Sequence, residues 1–403
     1  MTDFPTSDGT IIRIAARGDG VTADGRYAAL AAPGDLLRAD GTIAPGPHHV
    51  DPPCRHFPEC GGCQLQHLSD DAYADYVRDR VIGALEAQGI AAEHVAPAHI
   101  SPPRTRRRAT LTALRSGNGV TIGFHAARSR QVVDMKQCEV LHPALFALVA
   151  PLRRLLASCL PKRAVGQVSM TLADQGVDML IEGIKLDGLA AIEAIGAFAA
   201  EHALARLMIN QGDGPETHWA PDPATISFGG VAVSLPPNAF LQATADGEQA
   251  LLAAVTAAVG DAATVADLFA GLGTFTLPLA LRAKVYAGEA GRDAVMALKG
   301  AANATQRQVF VEHRDLYRRP LTTAELSRFG AVVLDPPRAG AQDQVAEIAA
   351  ATTPRIAYVS CNPSSFARDA AVLVAGGYRL TTIQPVGQFR WSTHIELAAR
   401  FER

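Results

Sequence analysis

Cys361 stands in Tyr358-Val-Ser-Cys-Asn-Pro363, an apolar, strand-like run that stops at a thiol followed by a pair of residues able only to turn. That arrangement presents a nucleophile on the loop leaving a strand. Downstream, Glu396 in Ser-Thr-His-Ile-Glu supplies a carboxylate. Upstream, Asp267-Leu-Phe-Ala-Gly-Leu-Gly273 is a glycine-containing turn of the kind that seats a nucleotide-like cofactor. A thiol, a carboxylate and a cofactor turn in one chain point to covalent catalysis.

The turn gains weight from its neighbours. A strand-like run precedes Gly271 and Gly273, a helix is expected over Thr274 to Arg282, and Glu289 ends the next strand, where a carboxylate can accept from ribose hydroxyls. Thr276 occupies the place of the third glycine of a dinucleotide fingerprint. This favours S-adenosylmethionine, which has no pyrophosphate to cradle. Asp315, just after Val309-Phe-Val311, is placed either to reach an adenine or to cap a helix. Asp335-Pro-Pro-Arg338 closes another strand and resembles turns that hold a planar heterocycle in exocyclic-amine methylation.

Four further thiols have metal-ligand character. Cys54-x5-Cys60-Gly-Gly-Cys63 is a tight triplet, and Cys138 lies far downstream in Met-Lys-Gln-Cys-Glu. Structural zinc usually shows two close pairs, so a triplet with one distant ligand favours an iron-sulfur cluster. Gly61-Gly62 lets the backbone approach the metal and donate to sulfur. The plain alternative is three surface cysteines and a buried one. Cys159, in an apolar helical stretch, reads as core.

The elements that must position these groups fall into three parts. At 403 residues, with 48% hydrophobic and 19% charged, the chain suits two or three domains with sizeable cores. Short runs between close turns over residues 1–47 predict a small barrel or meander. A helical face of Ala72, Tyr76, Val77, Val81, Ile82 and Leu85, stopped at Gly89, follows the first cysteines. Period-two runs flanking Asn118-Gly119, Asp174-Gln-Gly176 and Gly229-Gly230 predict antiparallel β structure in the middle of the chain. After about residue 240, strand-helix alternation predicts a parallel doubly wound sheet with ligands beyond the carboxyl ends of its strands.

Net charge is -3, so any nucleic-acid contact must be local. Arg104, Arg106, Arg107, Arg108, Arg115, Arg128 and Arg130 provide a focus of positive charge. It reads as a phosphate-binding face or, more plainly, as a charged edge strand. The opening residues lack a secretory pattern and no apolar run is long enough to span a membrane, so the cytoplasm is expected and no membrane partner.

Taken together, the four cysteines, Gln242 in Asn-Ala-Phe-Leu-Gln, the Asp267–Gly273 turn, Leu334-Asp-Pro-Pro-Arg-Ala-Gly340, Ser360-Cys-Asn-Pro363 with Ala367-Arg-Asp369, and His394-Ile-Glu396 resemble the S-adenosylmethionine-dependent RNA 5-methyluridine methyltransferases. The iron-sulfur branch, which includes 23S ribosomal RNA uracil-C5 enzymes, is most similar. Thr274 and Ala270 depart from the commoner Asn and Cys.

The resemblance implies an α/β protein in three parts. These are a short TRAM-like β-barrel module over 1–47, an iron-sulfur-bearing antiparallel β domain over 48–90 and 91–238, and a Rossmann-like class I methyltransferase sheet over 239–403. It implies Cys361 as nucleophile and Glu396 as general base. Gln242, Phe269, Gly271, Gly273, Glu289 and Asp315 would hold S-adenosylmethionine, and Asp335 beside them would orient the uracil. Cys54, Cys60, Cys63 and Cys138 would hold a 4Fe-4S cluster. The partner would be RNA, ribosomal ahead of transfer RNA, and the protein a monomer. Two other readings stand beside this one: exocyclic-amine methylation through Asp335-Pro-Pro, and a non-catalytic iron-sulfur RNA-binding protein.

Uracil C5 is a poor nucleophile. Addition of a thiolate at C6 makes C5 electron-rich, and a base must then remove the C5 proton, so a cysteine of lowered pKa and a carboxylate are the residue types required.

Overall fold

Runs such as Ala-Val-Val-Leu and Arg-Ile-Ala-Tyr-Val-Ser are apolar at nearly every position, the pattern of strands covered on both faces. In the computed structural model, which describes residues 9–117 and 119–403, they form the middle of a nine-stranded sheet. Five of its strands are parallel: Thr264–Leu268, Lys284–Glu289, Val309–His313, Ala331–Leu334 and Arg355–Ser360. Chain order reverses beside the first of them, with Lys284–Glu289 on one side and Ala331–Leu334 on the other. That reversal opens the crevice in which doubly wound sheets bind ligands. Beyond Arg355–Ser360 the strand Glu396–Glu402 runs antiparallel, followed by Arg379–Gly387.

The far edge of this sheet comes from an unexpected place. His94–Val95 and His99–Ile100 pair in parallel with Arg379–Gly387. The preceding helix, Asp70–Glu86, is capped by Ser69 with Asp70 and Asp71 in its first turn, favourable at a helix N-terminus. It buries Ala72, Tyr73, Tyr76, Val77, Val81 and Leu85 in the same core as Phe366, Leu373, Tyr378 and Leu397. Segment 70–100, read from sequence as central, therefore packs on the carboxy-terminal sheet. Periodicity shows that a face is buried but not against what. Tyr73 replaces the expected Ile82 on that face, and the helix ends at Glu86, three residues before Gly89 takes φ +69°.

The central sheet has six strands in the order Pro215–Trp219, Arg206–Asn210, Gly176–Glu182, Val165–Ala173, Arg108–Ser116 and Gly119–Gly123. All pairs are antiparallel except Gly176–Glu182 with Arg206–Asn210, because helix Leu189–Glu201 carries the chain back across the sheet. Asn118 of the expected turn lies outside the described residues. Helix Val149–Cys159 covers this core, with Cys159 packed at its margin. The hairpin Thr225–Phe228 and Val231–Ser234 turns through Gly229 and Gly230, both at positive φ. It shares a core with Leu241, Ala270, Leu272 and Leu298 and also with Ala173 and Ala205, so it bridges the cofactor turn and the central sheet.

At the start of the chain, Ile11–Ile14, Gly20–Thr22 and Tyr27–Ala28 form a three-stranded antiparallel meander beside the ladder Leu36–Leu37 and Ile43–Ala44. Among the described residues its own core is Ile11, Ala28 and Ala31 with Leu37 and Ile43 packed against them, while Ile14 and Ala32 join the main core next to Leu65 and Leu68. No helix among the described residues is long and apolar enough to cross a membrane.

The fully buried Tyr73 hydroxyl faces the carbonyls of Phe389, at 3.1 Å, and Ser392, at 3.2 Å, tying helix Asp70–Glu86 to the loop that leads into Glu396. Tyr73→Phe should lower the free energy of unfolding by about 1 kcal/mol. Urea denaturation checks this, and an unchanged midpoint would show that the hydroxyl anchors nothing.

Candidate active site

Antiparallel register brings thiol and carboxyl together. Ser360 pairs with Leu397, so Cys361 leaves one strand where Glu396 enters its neighbour. Asn362 then caps helix Pro363–Ala375, its Oδ1 accepting from the Ser364 N–H at 3.1 Å, with Pro363 in the first helical position. The turn expected after Cys361 is thus a helix start. Such an N-terminus favours a thiolate. Here other forces are stronger: burial first, then the Glu396 and Asp335 carboxyls, push the Cys361 thiol up to about 11, with Arg338 opposing. The lowered pKa anticipated from chemistry is not a property of this resting site.

The acids are perturbed in the same sense. Burial, reinforced by Asp335, raises Glu396 to about 8, while Gln388, Arg108 and Arg338 pull the other way. Asp335 rises to about 7 through burial and its neighbour Asp267. Asp267 rises to about 7 through burial, although the Thr276 hydroxyl donates to its Oδ2 at 2.5 Å. Thr276, noted in the sequence as the missing third glycine, therefore has a partner in the cofactor turn.

Helix Pro363–Ala375 also fixes the Asp335 loop. Asn362 Nδ2 and Ser365 Oγ donate to the Arg338 carbonyl at 3.0 and 3.1 Å, and Arg368 Nη2 donates to that of Ala339 at 2.9 Å. Asp369 Oδ2 accepts from the Ala341 N–H at 2.9 Å and the Tyr358 hydroxyl at 2.6 Å. Gly340 sits at φ +80°, and a Cβ there would lie 2.5 Å from Asp369 Oδ2. On the opposite side the Asp335 N–H donates to the Leu268 carbonyl at 3.2 Å, so the loop is pinned to the strand that carries the cofactor turn.

Within that turn, Phe269 takes φ +64°, an uncommon conformation for a bulky residue. Its ring lies 5.5 Å from that of Tyr317. The Glu289 carboxylate accepts from the N–H groups of Gly271, at 3.0 Å, and Gly291, at 2.6 Å, leaving lone pairs for a further donor. Gly271 faces open space, whereas a Cβ on Gly273 would come 2.5 Å from Leu298 Cδ1. The expected helix after the turn shrinks to Thr276–Leu279, since the chain enters the next strand at Lys284. Asp315 Oδ1 accepts from the Tyr317 and Arg318 N–H groups at 3.0 and 3.3 Å in a turn, so it caps no helix. Gln242 is buried, and its Oε1 accepts from Gln388 Nε2 at 2.7 Å. Sequence reasoning missed Gln388; its one signal is an amide closing an apolar strand.

Cys54, Cys60, Cys63 and Cys138 line one cavity with Phe57, Phe124, Met135 and Val140. Burial raises Cys60 and Cys138 and pushes Cys63 up to about 12, and the thiols raise one another. The Gly62 N–H is directed at Cys60 and opposes its rise. Four thiols around one cavity are the donor type that a soft cation binds once they are deprotonated. As they stand, no three His, Cys, Asp or Glu side chains among the described residues have ion-holding separations.

The arginine run does not form one phosphate face. Arg104 pairs with Glu139, Arg107 is buried against Glu248, and Arg115 donates to the Leu160 carbonyl. Arg108 stacks on Phe240 at 4.5 Å, and Arg106 lies 5.6 and 5.3 Å from the rings of Phe124 and Phe389. Arg106 and Arg128 do line the large cleft, of about 1170 Å³, that holds Cys361, Glu396, Arg338 and Phe240. Arg17 and Leu30 of the amino-terminal module line it too.

A family model for tRNA (uracil-5-)-methyltransferases matches residues 231–403. Over 393 residues the chain is 49% identical to an uncharacterized RNA methyltransferase of Zymomonas mobilis, covering 98% of this chain and 99% of that protein. It is 34% identical to the 23S rRNA (uracil(1939)-C(5))-methyltransferase of Halomonas elongata, over 88% of this chain and 77% of that one. In fold it matches the Pyrococcus abyssi tRNA (uracil-54, C5)-methyltransferase, solved with S-adenosyl-L-homocysteine. That match has a TM-score of 0.74 at 21% identity, over 98% of this chain and 99% of that one. Likeness along nearly the whole length, with the switch-point crevice and its cofactor turn in place, makes this chain a member of the RNA uracil-C5 methyltransferase family.

Proposed function

We propose that this protein methylates C5 of a uridine in 23S ribosomal RNA through a covalent adduct between Cys361 and C6. The observation that carries this is the register that sets Cys361 beside Glu396 at the mouth of one cleft. The Halomonas relative named for 23S rRNA supports the ribosomal substrate, and a uridine of transfer RNA is the alternative by the same chemistry. Exocyclic-amine methylation would use Asp335-Pro-Pro but leave the Cys361 and Glu396 pair without work.

The steps follow from the residues. A target base must leave its stack to enter a cleft this deep, where the Arg108 and Phe240 stack and Arg338 offer a flat face and a positive charge. The Cys361 thiol releases its proton to water as its sulfur bonds to C6, the C5=C6 electron pair moves towards O4, and the thiol regains a proton when the C6–S bond later breaks. Asp335, poised between its charged and neutral forms near pH 7, donates to O4 when protonated, where negative charge develops. Gln242, Phe269, Gly271, Gly273, Glu289 and Asp315 would hold S-adenosylmethionine, which would supply an electrophilic methyl group to C5 and leave as S-adenosylhomocysteine. Glu396 then accepts the C5 proton, the C6–S bond breaks and the C5=C6 bond returns. Cys54, Cys60, Cys63 and Cys138 would hold a 4Fe-4S cluster that shapes the cleft's rim, since Cys63 and Gly62 line both the cysteine cavity and the cleft.

Cys361→Ala should retain S-adenosylmethionine binding and lose methyl transfer by at least ~10⁴-fold. Undiminished tritium release from [5-³H]uridine RNA in that variant would exclude covalent catalysis by Cys361. Mapping of 5-methyluridine in the RNA product, against N6-methyladenosine, decides the reaction class.

Because Glu396 must be ionised to accept a proton, product formation should rise as pH passes through about 8. Glu396→Gln should accumulate a methylated covalent protein–RNA adduct that survives denaturing electrophoresis; absence of any adduct counts against Glu396 as the base. For the cysteines, Cys63→Ser should remove the visible absorption of thiolate-bound iron and the iron itself, measured by elemental analysis, while S-adenosylmethionine binding persists. Equal iron in variant and parent would dismiss the cluster assignment.

A further inference from the structure

Gln388 follows the strand Arg379–Gly387 and is buried. Its Oε1 accepts from the Ala243 N–H at 2.7 Å, which fixes the orientation of the amide, because a backbone N–H can only donate. Its Nε2 must then donate, and it does so to Gln242 Oε1 at 2.7 Å. The orientation of Gln242 is thereby set as well, leaving that side chain its own NH₂ to offer. Gln388 lies two residues beyond Val386, which pairs directly with Glu396, so Gln388 leaves one strand at the end of the sheet where Glu396 enters its neighbour. Space around it is tight: a Cβ on Gly247 would lie 2.8 Å from Gln388 Cβ.

We propose that Gln388 is a positioning residue that joins the methyl-donor pocket to the base, orienting Gln242 with one amide hydrogen and supporting the ionised Glu396 with the other. This rests on the roles given above to Gln242 and Glu396. Gln388 adds what neither supplies alone, a single amide through which a change at the donor pocket is felt by the proton acceptor. The groups that face Glu396 are Asp335 and Cys361, which disfavour its charge, and Arg108, Arg338 and Gln388, which favour it. Of these, Gln388 alone is also bonded to Gln242.

Two variants of the full-length protein test this. Gln388→Met keeps the volume and removes every polar contact; Gln388→Glu keeps an acceptor for the Ala243 N–H, so the local backbone stays satisfied, but places a second carboxyl beside Glu396. Both are assayed for binding of labelled S-adenosylmethionine, for methyl transfer to RNA as a function of pH, and for thermal unfolding. Gln388→Met should weaken S-adenosylmethionine binding about fivefold, the size of one net hydrogen bond. It should also move the acidic limb of the pH profile up by about half a unit to one unit. Gln388→Glu should move the limb further in the same direction. If both folded variants lose activity evenly across pH with binding unchanged, Gln388 is only structural and the proposal is overturned. Glu396→Gln run alongside separates the layers: adduct in that variant with an unmoved limb in the Gln388 variants refutes the coupling alone, whereas no adduct removes the reading beneath it.

Discussion

Withdrawal from water of several acidic groups around one sulfur is the constraint on which this structure depends. Cys361, Glu396, Asp335 and Asp267 each prefer solvent when charged, and each is shifted towards its neutral form by burial first and then by a neighbouring carboxylate, Glu289 in the case of Asp267. Four such groups stay together only because the backbone gives them no alternative. Asp267 lies near the end of one parallel strand and Asp335 follows the end of its neighbour, while Cys361 and Glu396 come from the meeting of a parallel strand with an antiparallel one. The energetic strain is stored where the chemistry needs it. A sulfur that holds its proton in a resting site is protected from oxidants and stray electrophiles, and its nucleophilicity becomes conditional on what enters the cleft.

Rigidity around that cluster is supplied by hydrogen bonds to backbone atoms rather than by the reacting groups. Asn362, Ser365, Arg368 and Asp369, all on one helix, hold the loop that carries Asp335 and Arg338. Tyr73, 316 residues before Phe389 in the chain, holds the loop that leads to Glu396. Of the groups with shifted acidity around the thiol, Asp267 takes a structural hydrogen bond, the one from Thr276. Such a division is what a preorganised electrostatic site requires.

Much of this was legible in the sequence. Strands buried on both faces announce themselves as unbroken apolar runs, and Gly271, Gly273 and the Cys361 turn mark where the chain must change direction at their ends. Glu396 was legible as a carboxylate near a thiol, but its depth was not, because burial depends on the register with Arg355–Ser360. The direction of the Cys361 shift went the other way for the same reason: the helix start is local, while burial and the carboxyls that outweigh it arrive through the fold. The arginine run misled because charge density in sequence does not reveal partners; Glu139 and Glu248 are supplied by other segments. Gln388 left almost no trace, since a lone amide has meaning only through the atoms it touches.

The outermost strands of the catalytic sheet, His94–Val95 and His99–Ile100, are made long before the strand they join. Gln384 Nε2 donates to the Pro97 carbonyl across 287 residues of chain. During synthesis this early segment emerges with its pairing edge and the apolar face of Asp70–Glu86 exposed, and it waits while the central sheet and the parallel strands are translated. Loop closure over so great a separation is slow, and an unpaired edge invites association with other chains. The nascent protein thus has a built-in interval of vulnerability that ends only when Arg379–Gly387 leaves the ribosome. A gene fragment starting at the first parallel strand would encode a sheet with a bare flank.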